Sequence, residues 1–152
     1  MCEIYFISGP GDLSEEEFEV YYVPILLSLN KDSQFIIGDY QGADRIAKNY
    51  LSKNKYVHVT IYHMYGKPRY GSSGYPTKGG FESDEERDYA LTHDSTQDIC
   101  FIIPGRESGG TSLNLIRRFM MNETILGNTF WDIYLERIHK KKSSRKRHRR
   151  MK

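Results

Sequence analysis

The segment of this sequence best suited to binding an anionic group follows an apolar run and reads Gly-Arg-Glu-Ser-Gly-Gly-Thr, residues 105–111. Glycines let a backbone approach a ligand closely, and the start of a following helix offers unpaired N–H groups. The hydroxyls add donors, and the arginine can form charge-assisted hydrogen bonds with a phosphate. The segment therefore predicts a phosphate cradle made by Gly105, Arg106, Ser108, Gly109, Gly110 and Thr111. Its glycine spacing matches neither the P-loop nor the dinucleotide fingerprint.

Two further glycine-bearing segments follow apolar runs in the same way. Ser8 and Gly9 end the first run, and residues 38–44, Gly-Asp-Tyr-Gln-Gly-Ala-Asp, end the second. We expect these segments to contribute a second group of ligand contacts: Ser8, Gly9, Gly38, Asp39, Gly42 and Asp44. Two interpretations of Asp44 stay open at this point: a hydrogen bond to a ribose hydroxyl, or stabilisation of a helix N-terminus.

Histidines and basic residues beside a glycine-rich stretch form the last candidate group. His63 ends a β-branched run, where it can contact a phosphate, act as an acid–base group, or simply bond to backbone. Lys67 and Arg69 follow it and can also meet a phosphate. The histidines and the two cysteines show no metal-ligand spacing, so no metal site is predicted.

Strands and helices alternate along the chain and place these segments. Apolar runs predict strands at residues 3–9, 34–39, 57–63 and 98–105, and helical spacing predicts helices at 14–29, 42–53, from 83, from 110, and at 130–138. Pro24 should split the first helix. Ser14 with Glu17, and Ser83 with Glu86, form capping-box patterns. Residues 66–80 have no hydrophobic period and predict a long ligand loop or lid.

This alternation predicts an α/β fold with three layers: a doubly wound, mostly parallel sheet of Rossmann-like type. In such a sheet the ligand lies beyond the carboxyl ends of the strands. The three glycine-bearing segments all fall at that edge, and their convergence is stronger evidence than any one of them. We assign residues 1–138 to one domain and residues 139–152 to a disordered basic tail.

Charge separates the body of the chain from this tail. The 152 residues carry a net charge of +2, yet 10 of the 22 basic residues follow Glu136. The rest of the chain therefore contains 12 basic and 20 acidic residues. An acidic body is poorly suited to binding nucleic acid, whereas the tail can bind nucleic acid or an import receptor. No apolar run is long enough for a membrane span, and no signal peptide is evident, which predicts an intracellular protein, cytoplasmic or nuclear. A homo-oligomer is left open.

The three glycine-bearing segments resemble the signature loops of the SLOG superfamily over about residues 3–120. That superfamily includes DNA-processing protein A, the LOG phosphoribohydrolases and the molybdenum-cofactor carrier proteins. The resemblance implies a nucleotide-type ligand and no required cofactor. The region around Asp88 is also similar to nucleoside deoxyribosyltransferases, which implies that Asp88 contacts the sugar or base.

One departure from the enzymatic relatives bears on catalysis. The position that their catalytic glutamate occupies is Asn114 here, and an amide cannot act as a carboxylate nucleophile. Glu107 inside the loop, or Glu82, Glu85 or Glu86, can substitute, and the catalytic candidates are Asp88, Glu86 and Asn114. Three hypotheses follow: a sensor, carrier or sequestering protein for a nucleotide-type ligand, an N-glycosidase of nucleoside phosphates, and a nucleic-acid-binding protein acting through the tail. The first is favoured.

Overall fold

Parallel strands form the centre of the chain, and helices pack against both of their faces. The computed structural model describes residues 3–102 and 110–121. Within these residues the strands form one five-stranded sheet in the order β4-β3-β2-β1-β5, and every neighbouring pair is parallel. In chain order the elements are β1 (Ile4–Ile7), α1 (Glu15–Tyr21), α2 (Val23–Ser28), β2 (Gln34–Ile37), α3 (Ala43–Lys53), β3 (His58–Met64), β4 (Thr77–Phe81), α4 (Asp84–Asp94), β5 (Gln97–Ile99) and α5 (Gly110–Met121).

Successive side chains of each strand enter two separate cores, because they point to opposite faces of the sheet. On one face Ile7, Ile37 and Ile61 pack with the helices α1, α2 and α3. On the other, Phe6 and Ile36 join a smaller core with α4. Helix α5 lies against α4 and β5. The α/β, three-layer, Rossmann-like prediction is therefore confirmed.

Local sequence signals set the first helices as expected. The Ser14 hydroxyl accepts a hydrogen bond from the Glu17 backbone N–H, and the Glu17 carboxylate accepts one from the Ser14 N–H, which completes the capping box. Pro24 stands in the first turn of α2, where its missing N–H costs no helical hydrogen bond. The predicted helix is accordingly split into α1 and α2.

The stretch predicted to be a structureless lid contains a strand instead. Thr77–Phe81 forms β4 at the edge of the sheet, paired with β3 across an irregular register. Its sequence, Thr-Lys-Gly-Gly-Phe, shows no alternation of apolar and polar residues, because an edge strand with little burial has no apolar face. Backbone hydrogen bonds to β3 form this strand, and the strand propensities of its residues do not reveal them. The next strand is also shorter than predicted, ending at Ile99 rather than continuing to residue 105.

Candidate ligand-binding site

A cavity of about 630 Å³ opens at the carboxyl end of β1. Strand β1 lies between β2 and β5, so the chain leaves it towards one side of the sheet and returns on the other. Ligands of open α/β sheets bind at this switch point. The residues lining the cavity are Phe6, Ser8, Gly9, Pro10, Gly11, Asp12, Tyr40, Gln41, Asp44, Asp84, Arg87, Asp88, Gly110, Thr111 and Asn114.

The loop after β1 forms one wall, and its first glycine is required by the protein's own packing. A Cβ at Gly9 would overlap the Tyr22 hydroxyl and would lie 2.7 Å from the Cβ of Ala43. The Tyr22 hydroxyl in turn donates a 2.7 Å hydrogen bond to the Ser8 carbonyl. Gly9 therefore lines the cavity as predicted, but its lack of a side chain makes room for α1 and α3 rather than for a ligand.

Ser8 contributes a buried hydroxyl to the same wall. The residue is 5% exposed, and its Oγ makes no hydrogen bond within the described part of the chain. Burial and the charge of Asp98 raise the pKa of the Cys100 thiol, and the Ser8 hydroxyl opposes that rise, although it forms no hydrogen bond of normal geometry. Buried hydroxyls are normally paired, so Ser8 is a hydrogen-bonding group that a ligand can satisfy.

The second wall centres on Arg87 of α4, which is only 3% exposed. Its guanidinium bonds to three carboxylates, at 2.6 Å to Asp39, 2.9 Å to Asp84 and 3.0 Å to Asp88. A Cβ at Gly38 would lie 3.1 Å from the guanidinium carbon and 2.7 Å from Asp44 Oδ2. Gly38 therefore lets an arginine and a carboxylate approach the end of β2 side by side.

Arg69 joins the same group from the segment between β3 and β4. It bonds to both carboxylate oxygens of Asp39, its own backbone N–H also donates to Asp39, and its guanidinium lies 2.7 Å from Asp84. Burial disfavours the ionised form of Asp39, but these hydrogen bonds and the charges of Arg69 and Arg87 outweigh it and lower the pKa of Asp39. Arg69 therefore bonds to the protein's own carboxylates, and a contact of this residue with a ligand phosphate stays a prediction.

Asp44 and Asp88 are the two carboxyl groups least balanced by these arginines. Burial, partly offset by the charge of Arg87 and reinforced by that of Asp88, raises the pKa of Asp44 to about 7. Burial also raises the pKa of Asp88, although the charge of Arg87 and a hydrogen bond from it work in the opposite direction. Both residues line the cavity, as the sequence predicted, and they give this wall a surplus of negative charge.

The two interpretations of Asp44 are both compatible with its position. Its Oδ2 accepts a 3.1 Å hydrogen bond from the Tyr40 N–H, just before α3 begins, which is a structural role. Its carboxyl group also borders the cavity, where it can meet a ligand hydroxyl or amino group. The residue therefore belongs to the site and to the loop that supports it.

Helix α5 closes the cavity with Gly110, Thr111 and Asn114. Asn114 is 3% exposed, and its Oδ1 accepts a 2.8 Å hydrogen bond from Arg117. The structure thus brings Asn114 into the same wall as Asp88, as expected for residues of one site. Gly105, Arg106, Ser108 and Gly109, the rest of the predicted cradle, lie outside the described residues, as does the basic tail.

Five of the predicted site residues that the structure describes do not line this cavity: Gly38, Asp39, Gly42, His63 and Glu86. Glu86 is exposed, and its carboxylate accepts a hydrogen bond from the Glu82 N–H at the start of α4. His63 is 4% exposed, with Nδ1 3.1 Å from the Met64 carbonyl and Gly79 packed against its ring. Asp39 is buried behind Arg87. Glu86, His63 and Asp39 thus bond to groups of the protein outside the cavity lining, and their part in ligand binding stays a prediction.

The predicted lid also lies elsewhere. Residues 66–76 do not line the cavity. Two side chains fix this segment elsewhere: Arg69 bonds to Asp39, and the Lys48 ammonium donates to the carbonyls of Tyr70 and Gly71. Polar groups of the segment thus bond to α3 and to Asp39, which the glycine-rich sequence gave no means to foresee.

Sequence reasoning missed several lining residues, among them Asp12, Asp84 and the central Arg87. A signal existed: Arg87 precedes the buried Leu91 by one helical turn, so both fall on the side of α4 that faces the sheet. A buried arginine among aspartates indicates an ion-pair cluster, because an unpaired charge is not buried.

No protein-family model matches this chain, and neither does any curated protein or solved structure. Within residues 3–102 and 110–121, no group of three or more His, Cys, Asp or Glu side chains has an arrangement that could hold a metal ion. No helix of those residues is long and apolar enough to cross a membrane.

Proposed function

We propose that the cavity at the end of β1 binds the nucleoside part of a nucleotide-type ligand, as a sensor, carrier or sequestering protein of the SLOG type. The observation that carries the proposal is the position of Asp44 and Asp88 together in the wall of a switch-point cavity. Carboxyl groups at this edge are suited to a nucleoside, because an ionised one accepts hydrogen bonds from ribose hydroxyls or base amino groups and a protonated one also donates. The cavity volume lies within the usual range for small-molecule sites.

The charges of the described walls indicate where a phosphate would go. Asp12, Asp44, Asp84 and Asp88 face the cavity, whereas Arg87 is occupied by carboxylates. A phosphate is disfavoured against such a surface, because like charges in a partly buried site repel. We therefore assign the sugar and base to these walls and the phosphate to the predicted cradle of residues 105–111, where Arg106 would supply the positive charge.

Comparing adenosine with adenosine monophosphate tests both parts of this proposal. We expect wild-type protein to bind both, and the phosphate to tighten binding by about tenfold or more, as a charge-assisted contact contributes about 1.5–3 kcal/mol. Arg106→Ala should remove that difference and leave adenosine binding intact. Asp88→Ala should weaken both ligands. Isothermal titration calorimetry measures each dissociation constant.

A matched control for Asp88 is Glu85→Ala, which changes an exposed carboxylate on the same helix outside the cavity lining. It should bind both ligands as the wild type does. Equal loss in Glu85→Ala and Asp88→Ala would mean that net charge rather than the site is responsible. Adenosine binding equal to or tighter than that of the monophosphate would contradict the phosphate assignment.

N-glycosidic hydrolysis is the second candidate function, favoured by one observation. Asp88 and Asn114 lie in one cavity wall, and burial raises the pKa of Asp88, so an acid–base group is present beside the position of the missing glutamate. Release of free base from nucleoside monophosphates, followed by chromatography, tests it. Release that Asp88→Asn abolishes would support hydrolysis, and its absence with ligand binding intact would leave the binding function alone.

A further inference from the structure

The four carboxylates around Arg87 are not equivalent. Asp39, Asp84 and Asp88 each bond to a guanidinium group at 3.0 Å or less. Among the described residues, Asp44 forms no such ion pair, although Gly38 places its Oδ2 near the Arg87 side chain. Within the described part of the chain, Asp44 Oδ2 accepts a hydrogen bond from the Tyr40 N–H at 3.1 Å. Asp44 is thus the member of the cluster without a cation of its own.

Charge balance explains why this matters. Arg69 and Arg87 are the arginines that ion-pair within this cluster of four carboxylates in the described part of the chain, and the charge of Arg117 acts on Asp88, so no cation is left to pair with Asp44. Asp84 is half exposed, and water screens its charge, whereas Asp44 is only 8% exposed. Burying an unpaired charge is costly, and the usual outcome is that the group keeps its proton.

The groups that face Asp44 come from several elements, and they act on its pKa in both directions. From the end of β2, Asp39 repels its ionised form, and from α4, Asp88 does the same while Arg87 attracts it. Tyr22, at the end of α1, lies close enough for the charge of Asp44 to raise the Tyr22 pKa. Burial, with the charges of Asp88 and Asp39, outweighs the charge of Arg87 and the hydrogen bond from the Tyr40 N–H and raises the pKa of Asp44 to about 7, so a small change in surroundings moves its proton.

We propose that Asp44 meets the ligand as the neutral acid, so that its hydroxyl donates a hydrogen bond to an acceptor atom of the ligand, such as a ring nitrogen or carbonyl oxygen. The proton comes from solvent and stays on Asp44, so binding takes up a proton. The inference rests on the proposed function, since it concerns the same cavity. A second group supports a ligand there: the buried Ser8 hydroxyl in the cavity wall lacks a hydrogen bond within the described residues.

Adenosine is the probe that tests this, because it has no group that titrates near neutral pH. Calorimetry at about pH 8 in two buffers of different ionisation enthalpy measures protons taken up per adenosine bound. We expect wild-type protein to take up close to one proton, and its dissociation constant to rise about tenfold for each pH unit above 7. Asp44→Asn should take up none, bind independently of pH, and bind about tenfold tighter than wild type at pH 8, because its amide donates without a proton.

Glu85→Gln, which removes an exposed carboxylate of α4, is the control and should retain the wild-type proton uptake. Adenosine binding without proton uptake by the wild type overturns this inference and leaves the proposed function intact. Uptake that persists in Asp44→Asn overturns it as well, since another group would then carry the proton. No adenosine binding by any variant at any pH overturns the proposed function and the inference together.

Discussion

Arg87→Met should destabilise this protein by about 3–5 kcal/mol at pH 7, the cost of removing one partner from a buried ion cluster. Arg87 is 3% exposed and bonds to Asp39, Asp84 and Asp88. Methionine fills a similar volume without charge, so the loss reports the carboxylates left behind rather than a cavity. Urea denaturation followed by circular dichroism gives the free energy of unfolding.

Arg69→Met is the matched control for this change. Its side chain is 34% exposed, and Asp39 would keep both Arg87 and the Arg69 backbone N–H. We expect a loss of about 1.5 kcal/mol, the contribution of a hydrogen bond to a charged group in partly solvated surroundings. A loss as large as that of Arg87→Met would show that the segment between β3 and β4, not the buried cluster, supplies the stability.

The cost of Arg87→Met should also depend on pH. Without the guanidinium, Asp44 and Asp88 lose the charge that now lowers their pKa values, so both would rise further in the folded state. A carboxyl group whose pKa is raised by folding destabilises the folded state above its unfolded pKa and ceases to do so when it is protonated. The difference between variant and wild type should therefore shrink from pH 7 to pH 5. If the difference in unfolding free energy between wild type and Arg87→Met grows as the pH falls, the ion-pair cluster around Arg87 is contradicted.

Gly42→Ala should cost about 3 kcal/mol or more, because it combines backbone strain with overlap in a packed region. Gly42 has φ +72° and ψ −124°, a conformation that side-chain-bearing residues rarely adopt. A Cβ there would overlap the Gly11 carbonyl oxygen and lie 2.5 Å from that of Pro10. The same contact brings the Ala43 N–H to the Pro10 carbonyl at 3.1 Å, which joins the two loops of the cavity wall.

Gly66→Ala provides the control for this prediction. No heavy atom lies within 4 Å of a Cβ at Gly66, and its φ is not positive, so we expect a change within about 0.5 kcal/mol. Thermal unfolding of the two variants compares them directly. If Gly42→Ala unfolds at the wild-type temperature, the two loops do not pack as described. Loss of adenosine binding at full stability would instead give Gly42 a direct part in the site.

Much of the fold was predictable because local interactions encode it. Apolar runs placed β1, β2 and β3, the Ser14 capping box placed α1, and Pro24 divided the first helix. Strand β4 was not predictable, since an exposed edge strand is formed by backbone pairing and leaves no hydrophobic pattern. Of the predicted site residues, Ser8, Asp44, Asp88 and Asn114 line one cavity, whereas His63 and Glu86 lie outside its lining.

By itself, the sequence determined an alternation of strands and helices, and with it the edge of the sheet where polar segments converge. Only the tertiary structure decided which charges meet there. Asp39, Arg69 and Arg87 come from three distant segments of the chain. In the folded protein both arginines form ion pairs with Asp39, a residue that the sequence predicted as a ligand contact. The physical reason is that strand periodicity is a local property, whereas the pairing of buried charges depends on which distant side chains the packed sheet brings within 3 Å.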